Sequence, residues 1–433
     1  MKNKKTQNAW AMYDWANSVY SLVITSTIFP VYFNSVTKSE DKGDVVSFFG
    51  IEIVNTVLYS YSISFSFLVI ALLSPLLSGI ADSGGKKLSF MKFFAYLGSL
   101  ACVGLFFFDG DNLEWGIICA VTASIGYAGS IVFYNAFLPE ISKEEEFDFL
   151  SAKGFAMGYI GSVILLVLNL LMIEKPDWFG LTDGGQGARW SFLIVGVWWA
   201  GFSQIPFKYL PNNPYNKKVD REILLVGYKE IRTVFYKVKS SPVMNRFLAA
   251  FLFYSMGVQT VMYLAATFGD KELGLPGDQL IITILIIQLV AIGGSYLFAL
   301  ISKIYGNKSS LVIMVFIWVL ICGGAYFVET AYQFFALAVV VGMVMGGIQS
   351  LSRSTYSKLI PQDTTDHASY FSFFDVTEKI AIVLGTFSYG FIEQLTGSMR
   401  NSSLALGLFF FVGLGFLILL KIPPKDLEKP ALV

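Results

Sequence analysis

Long apolar segments recur along the whole chain and constrain its fold more than any other feature. About twelve stretches are long enough to cross a bilayer as helices, which takes about 20 mostly apolar residues each. They lie near residues 9–33, 57–81, 88–108, 114–138, 151–173, 189–209, 244–268, 279–302, 309–328, 332–357, 370–392 and 402–421. Most are separated only by short polar turns. The pattern predicts an all-α membrane protein with twelve transmembrane helices.

The composition excludes several classes of protein. Charged residues make up 14% of the chain and the formal net charge is zero, whereas a soluble domain carries about 25% charged residues. Nucleic acid is excluded as a partner because its binding needs a basic surface. His367 is the only histidine and the three cysteines lie in apolar runs, so we expect no metal site, no cofactor and no disulfide framework. We also expect no cleavable signal peptide.

One connection differs from the others and divides the chain. Residues 211–243 carry many charges, and from Val219 to Lys239 apolar residues recur at helical spacing. Such a basic amphipathic helix is expected to lie along a membrane surface. It separates six predicted helices in residues 1–210 from six in residues 244–433.

The two halves repeat weakly. Residues 134–140 match residues 356–362, and the turn at 82–87 matches residues 303–308, at offsets of 222 and 221 residues. The repeat predicts two pseudo-symmetric six-helix halves. Paired halves with the substrate bound between them near the midplane are typical of secondary transporters.

Basic residues are distributed unequally between the two sides of the predicted membrane. If the N-terminus is cytoplasmic, 24 of the 31 basic residues fall in cytoplasmic segments, six fall outside and only Lys379 lies within a span. Cytoplasmic loops carry the excess of Lys and Arg. The count predicts an integral protein of the cell (inner) membrane with both termini in the cytoplasm.

The turn after the second predicted span carries a motif. Residues 79–87 read G-I-A-D-S-G-G-K-K, which resembles the major facilitator signature G-x-x-x-D-x-x-G-R/K-R/K, with the first glycine one residue late. The resemblance implies a latch in which Asp82 accepts hydrogen bonds from a helix N-terminus of the other half, with Gly84 and Lys86 in the same turn. The alternative is that the lysines only anchor the helix end.

Five segments together resemble one family within that superfamily, often called the unknown major facilitator family, which includes the fungal vacuolar amino-acid effluxer of autophagy. The segments are residues 13–18, 134–139, 154–161, 257–260 and 347–354. The resemblance implies twelve helices, alternating access and transport of a small solute. Met256 stands where the family is expected to carry an acid, which puts coupling by an acid of the seventh helix in doubt.

Polar residues inside the predicted spans are the candidates for substrate contact. A matching frame between the halves pairs Asn17 with Gln259 and Ser18 with Thr260. Tyr127, Tyr134 and Tyr263 fall on helices four and seven, which line the cavity in the superfamily. The full set of predicted substrate-binding residues is Asn17, Tyr127, Tyr134, Asn135, Gln259, Tyr263, Gln349 and Arg353. For the amides, the alternative role is hydrogen bonding between helices. For Arg353, it is a gate residue paired with acids.

Ionisable residues inside a membrane mark function or a buried pair. Asp14 is a candidate proton carrier. Asp375, Glu378 and Lys379 form a dense group in which Asp375 and Lys379 are i,i+4 neighbours. The remaining carboxylate is expected to be protonated or to meet Arg353. This group either couples transport to an ion or, the interpretation that we favour, closes the cytoplasmic end.

A cluster of acids follows the fourth predicted helix. We expect it to form a solvated connector between two helices. It comprises Glu140, Glu144, Glu145, Glu146 and Asp148.

These observations favour a secondary active or facilitative transporter of a small polar solute, with amino acids and export as the first cases to test. Its partners are the lipid bilayer, the solute and a coupling proton or other ion, and we expect a monomer. The chain has no G-x-x-x-x-G-K-[ST] loop for nucleotide. An intramembrane enzyme is disfavoured because the G-x-G-D motif and intramembrane histidines are missing. A non-transporting receptor or scaffold of the same fold remains the alternative.

Overall fold

A computed structural model gives the structure of the chain and describes residues 4–38, 43–212 and 223–421. Within these residues, nine helices are long and apolar enough to cross a membrane. One of them, Gly277–Tyr326, contains two spans joined at Gly306, where the backbone leaves the helical region (φ 79°, ψ 158°). The sixth and eleventh spans are richer in polar residues and complete a set of twelve. The predicted all-α fold with twelve membrane helices is therefore confirmed.

Six spans precede the linker and six follow it. The first six are Lys4–Val36, Asn55–Gly84, Lys87–Leu105, Leu113–Ala136, Phe147–Glu174 and Gly184–Tyr209. The linker helix is Ile223–Ser240. The seventh span is Pro242–Leu273, Gly277–Tyr326 holds the eighth and ninth, and the last three are Ala331–Leu359, His367–Thr396 and Met399–Leu419. Residues 219–222 of the predicted amphipathic segment lie outside the described residues, and the exact domain limits stay a prediction.

Successive spans run in opposite directions, so the molecule has two faces. We call the end where the first span begins the amino-terminal face and the other end the opposite face. The turn at residues 84–86, the short helix Leu138–Ile141, the linker helix and the start of the eleventh span all lie at the amino-terminal face. Asp183 lies at the opposite face, where its carboxylate accepts the Gln186 N–H (2.8 Å). This bond and one from the Thr182 hydroxyl hold the pKa of Asp183 below its ordinary value.

A two-stranded hairpin, β1 (Val45–Phe48) and β2 (Ile51–Val54), follows the first span. The sequence pattern predicts no element between the first two spans, so the hairpin is an addition to the predicted helices. Both turn residues, Phe49 and Gly50, have positive φ (46° and 81°), as a tight hairpin turn requires. The strands are short and half-exposed, so a search for long apolar segments does not detect them.

The first span is irregular at its centre. Residues Tyr20–Thr27 form a π-helix, and the Thr27 hydroxyl donates to the carbonyl of Leu22 five residues earlier (2.6 Å). Pro30 follows and has no backbone N–H to continue the helical ladder. Such bulges are frequent at functional sites, and this one turns Ser21, Thr25 and Ser26 toward the space between the halves.

Glycines allow the eighth and tenth spans to pack backbone against backbone. A Cβ on Gly346 would overlap the carbonyl oxygen of Ala291, and a Cβ on Gly342 would come within 2.5 Å of the carbonyl oxygen of Ile287. Gly342 and Gly346 are one helical turn apart, which is the small-residue spacing that lets membrane helices approach closely.

This contact predicts opposite effects for one substitution at two sites. Gly346→Ala should destabilise the protein by about 1–3 kcal/mol, since overpacking forces the helices apart. Gly323→Ala, where nothing lies within 4 Å of the added Cβ, should stabilise it by up to about 1 kcal/mol through helix propensity. Thermal unfolding of the purified protein measures both, and equal midpoints would contradict the packing argument.

Candidate functional site

A cavity of about 160 Å³ lies between the two halves. Its wall is formed by the first, second, fourth, fifth, seventh, tenth and eleventh spans. Seven of the eight predicted substrate-binding residues line it: Tyr127, Tyr134, Asn135, Gln259, Tyr263, Gln349 and Arg353. The coupling candidates Asp14 and Glu378 line it too, as does Lys379. Asp375 lies directly behind Lys379.

Asn17 does not line this cavity, which corrects one prediction. Its side chain is buried and accepts a hydrogen bond from the Ser18 hydroxyl (3.4 Å), while Ser18 itself faces the cavity. In the other half Gln259 faces the cavity, and Thr260 packs against Gly385 of the eleventh span. The reason is helical geometry, because adjacent residues point about 100° apart and only one of each pair can face the same space.

Arg353 crosses from the tenth span into the first half at the amino-terminal end of the cavity. Its Nη1 donates to Asp14 Oδ2 (3.2 Å) and to Asn135 Oδ1 (3.4 Å). Its Nε and Nη2 donate to the hydroxyl and the carbonyl of Ser151 (2.9 and 2.8 Å). The Tyr134 hydroxyl also donates to Asp14 Oδ2 (2.7 Å). The guanidinium is thus held by three spans of the opposite half.

Aromatic rings surround the same guanidinium. Its carbon lies 4.2 Å from the ring centroid of Phe155, 4.8 Å from that of Trp10 and 5.4 Å from that of Tyr134. Gly154 makes room for the group, since a Cβ there would overlap Asp14 Oδ2 and lie 2.9 Å from Arg353 Nη2. Rings around a desolvated cation stabilise it, so Arg353 sits in a site built for a guanidinium.

A second charged group lies deeper in the cavity wall. Lys379 Nζ is 3.1 Å from Asp375 Oδ1 and 3.3 Å from Glu378 Oε2. The Gln259 amide donates to Glu378 Oε1 (2.9 Å). Of the two outcomes expected for the remaining carboxylate, a meeting with Arg353 does not occur in this conformation, because Arg353 points away into the first half. Lys379 is twelve residues into its span, or about 18 Å from the amino-terminal face.

At the amino-terminal face, Asp82 joins the second and eleventh spans. Its carboxylate accepts the backbone N–H groups of Ala368 (3.2 Å) and Ser369 (2.7 Å). Lys87 lies 3.4 Å from Asp82 and also pairs with Glu140. These are the contacts that the predicted latch requires, namely a carboxylate at the N-terminus of a helix in the other half.

Two residues assigned to that latch are replaced by their neighbours. The left-handed turn residue is Gly85 (φ 63°) and not Gly84, which ends the helix. The lysine that reaches Asp82 is the buried Lys87, whereas Lys86 is exposed. The motif predicts the residue types of the turn correctly. Where two identical residues are adjacent, however, the backbone conformation of the turn decides which of them faces inward.

The acidic turn is only partly a solvated connector, since Glu145 and Glu146 are exposed but Glu140 and Asp148 are not, which corrects the expectation for these two acids. Asp148 accepts hydrogen bonds from Lys358 Nζ (2.7 Å), Asn307 Nδ2 (2.8 Å) and the Ser302 hydroxyl (3.0 Å). The side chain of Glu140 is 2% exposed and pairs with Lys87. Asp148 therefore ties the fifth span to the turn between the eighth and ninth spans, much as Asp82 ties the second to the eleventh.

The cavity is closed toward the amino-terminal face. Among the described residues, the hydrogen bonds and ion pairs between the halves cluster on the side of the molecule that is nearer the amino-terminal face. Besides those of Arg353, Asp82 and Asp148, the Tyr159 hydroxyl donates to Gln349 Oε1 (2.5 Å) and the Ser151 hydroxyl to the carbonyl of Ser350 (2.8 Å).

Several residues of this closure were missed by the sequence analysis. They are Trp10, Ser151, Gly154, Phe155 and Tyr159. Four of them lie on the fifth span, within or next to the small-residue segment at 154–161. That glycine spacing signals a close helix contact, and Gly158 and Gly161 indeed pack against Ser18 and Trp15 of the first span.

Comparison with known proteins agrees with this architecture. A family model described as "Vacuole effluxer Atg22 like" matches residues 2–148 and 145–428. The MFS-type transporter YxiO of Bacillus subtilis is 30% identical over 98% of this chain and 95% of its own length. Autophagy-related protein 22 of Yarrowia lipolytica is 24% identical over 89% of this chain and 78% of its own.

Solved structures share the fold. The human organic anion transporter MFSD10 superposes with a TM-score of 0.73 at 11% identity, covering 96% of this chain and 99% of that one. The proton:xylose symporter XylE gives 0.72 at 13% identity, covering 96% and 95%. The chain therefore has the major facilitator fold.

The geometry of Arg353 predicts that replacing it by a lysine makes the cavity more accessible from the amino-terminal face. Arg353→Lys cannot reproduce the forked hydrogen bonds. Bonds to charged groups contribute about 1.5–3 kcal/mol each, so the open population at the amino-terminal face should rise about tenfold or more. Labelling of Ser255→Cys, a position in the cavity wall, by an impermeant maleimide from the amino-terminal side measures this.

The native cysteines give little background because all three are buried. Arg246→Lys makes the same substitution at an exposed site on the same face and should leave the labelling rate unchanged. If Arg353→Lys labels no faster than this control, Arg353 does not hold the closure.

Proposed function

The chain belongs to the family of Atg22-like vacuole effluxers, and on that premise we propose that it moves small polar, amino-acid-like solutes across a membrane by alternating access. The proposal that the chain transports a solute is supported by its membrane-spanning facilitator fold. The solute class is inferred from the cavity. We further propose that transport is secondary active or facilitative and that a monomer suffices, because the cavity lies between two halves of one chain.

The observation that carries the solute class is the pairing of Glu378 and Lys379 in the cavity wall. A solute with one cationic and one anionic group can exchange partners with such a pair without leaving a charge unpaired, which is the condition for burying ions at low cost. The amides of Gln259 and Gln349 and the hydroxyl of Tyr263 line the same space and supply further hydrogen bonds. A neutral apolar solute would offer these groups no hydrogen bonds in exchange for those that they make with one another.

The amino-terminal gate suggests how transport is coupled to an ion. Opening this face requires Arg353 to leave Asp14, and removing one partner of a buried pair costs about 3–5 kcal/mol. A proton on Asp14, or the cationic group of the solute, offsets that cost. We therefore assign Asp14 the coupling role and Arg353 the gate role in this conformation.

The orientation is proposed from charge. Because the sequence predicts 24 of the 31 basic residues in cytoplasmic segments, we assign the amino-terminal face to the cytoplasm of a cell membrane. The cavity then faces away from the cytoplasm in this conformation. Both directions of net transport are compatible with such a cycle, and export is the direction suggested by the description of the family.

Counterflow in proteoliposomes tests the solute class. The native protein should exchange radiolabelled amino acids, and Glu378→Gln should slow the exchange about tenfold or more because a bond to a charged group is lost. Glu393→Gln is the matched control, since Glu393 lies on the same span but pairs with Lys271 outside the cavity.

Absence of exchange for every amino acid would overturn the solute class. Equal effects of Glu378→Gln and Glu393→Gln would overturn the role of the charged pair while leaving transport itself intact.

The coupling role of Asp14 predicts a change in pH dependence. Protonation of Asp14 releases Arg353, so counterflow by the native protein should speed up as the pH falls. Asp14→Asn is permanently uncharged and should exchange at a rate that no longer varies with pH. Asp177→Asn, at an exposed site on the opposite face, should keep the native profile. An Asp14→Asn profile identical to the native one would rule out this role.

A further inference from the structure

The linker helix Ile223–Ser240 has two distinct faces. Gly227, Val234 and Val238 are buried and Ile231 is half-buried, and these four residues recur at helical spacing on one side. Gly227 packs directly on the second span, since a Cβ on Gly79 would overlap its carbonyl oxygen. The helix is therefore docked on the protein along a narrow apolar stripe.

The outward face carries basic, tyrosine and leucine side chains together and no acid. At 100° per residue six exposed residues fall within an arc of about 100°. They are Leu225, Tyr228, Lys229, Arg232, Tyr236 and Lys239. Leu225 and Tyr228 are each 57% exposed and Tyr236 is 53% exposed. The one acid of the described helix, Glu230, lies off this arc and accepts from the Ser83 hydroxyl (3.0 Å).

The same helix touches both halves of the protein. On the first half it holds the end of the second span through Gly227 and Glu230. On the second half the ring of Phe235 lies 6.1 Å from that of Phe373, and Lys237 Nζ lies 3.9 Å from Asp366 Oδ2. Asp366 lies two residues before Ala368, the first of the two residues whose backbone N–H groups Asp82 accepts. The linker helix is therefore in contact with the start of the eleventh span, to which the latch also binds.

We propose that the outward face of the linker helix binds anionic lipid headgroups of the leaflet at the amino-terminal face, and that this binding favours the closed amino-terminal gate. The basic residues pair with lipid phosphates, while Leu225 and the tyrosines enter the boundary between headgroups and acyl chains. The proposal does not depend on which solute is transported.

The basic charge of the outward face and its position at the ends of the membrane spans favour anionic lipid as the ligand. The helix lies at the end of the membrane spans, where headgroups are present at high local concentration. A helix with basic residues and aromatic or leucine side chains on its free face is the form that binds anionic membrane surfaces. Lys and Arg extend their apolar stems along such a boundary and keep their charges at the phosphates. An acidic protein partner would pair with the basic residues, but it would provide no apolar environment for the exposed tyrosines and Leu225.

Hydrogen–deuterium exchange of the full-length protein in nanodiscs tests the proposal. Discs of phosphatidylcholine alone are compared with discs that also contain phosphatidylglycerol. The anionic lipid should slow exchange in residues 223–240 about tenfold, and it should also slow the amides of Ala368 and Ser369, which donate to Asp82. Because the attraction is electrostatic, high salt should remove the protection.

Two triple variants distinguish lipid binding by the linker helix from a general effect of the protein's positive charge. Lys229→Gln, Arg232→Gln and Lys239→Gln combined should abolish the lipid-dependent slowing. The matched control combines Lys38→Gln, Lys175→Gln and Lys271→Gln, which removes the same charge at the opposite face and should keep it. Circular dichroism verifies that both triple variants retain native helix content, and the substituted side chains of the linker helix are all exposed.

Three results would overturn the proposal. One is equal exchange in the two kinds of disc, and another is lipid-dependent slowing that survives in the linker triple variant. The third is equal slowing by soluble glycerol phosphate in phosphatidylcholine discs, which would show that a free phosphate is the ligand and not a lipid. Slowing confined to residues 223–240, without Ala368 and Ser369, would overturn the link to the gate.

Discussion

The closure at the amino-terminal face depends on one buried cation, Arg353. It belongs to the second half, and its hydrogen-bond acceptors belong to the first half. Arg353 is 3% exposed, and its hydrogen bonds end on Asp14, Asn135 and Ser151 of the first half. A guanidinium in such a place is stable only while all its donors are satisfied. The inserted position is therefore sharply defined, because a partly withdrawn guanidinium would have neither protein nor water as its partner.

At the amino-terminal face, two carboxylates join the halves in similar ways but with different partners. Asp82 uses the free backbone N–H groups at the start of the eleventh span, whereas Asp148 uses the side chains of Ser302, Asn307 and Lys358. In each case a carboxylate joins a turn of one half to the start of a span in the other. Carboxylates suit this position because their oxygens accept several donors at once.

The sequence was sufficient for the fold and for the composition of the cavity. Apolar length determines the spans, since a bilayer forces each crossing into a helix, and tyrosines and amides inside apolar segments mark the cavity wall. The sequence was insufficient wherever rotation about a helix axis decides the outcome. Asn17 and Ser18 are neighbours of similar polarity, and only packing shows that Ser18 faces the cavity. The partner of Arg353 was equally hidden, because Asp14, Asp375 and Glu378 are all carboxylates within reach in principle.

Charge balance in the cavity connects the gate to the solute. Asp14, Asp375 and Glu378 are opposed by only two cations, Arg353 and Lys379. Arg353 is committed to Asp14, and Lys379 is shared between Asp375 and Glu378. Glu378 is the more exposed of these last two acids, with 26% of its side chain accessible against 3% for Asp375. Glu378 is therefore the carboxylate of this pair that is open to the cavity, where it lies next to Lys379 and Gln259.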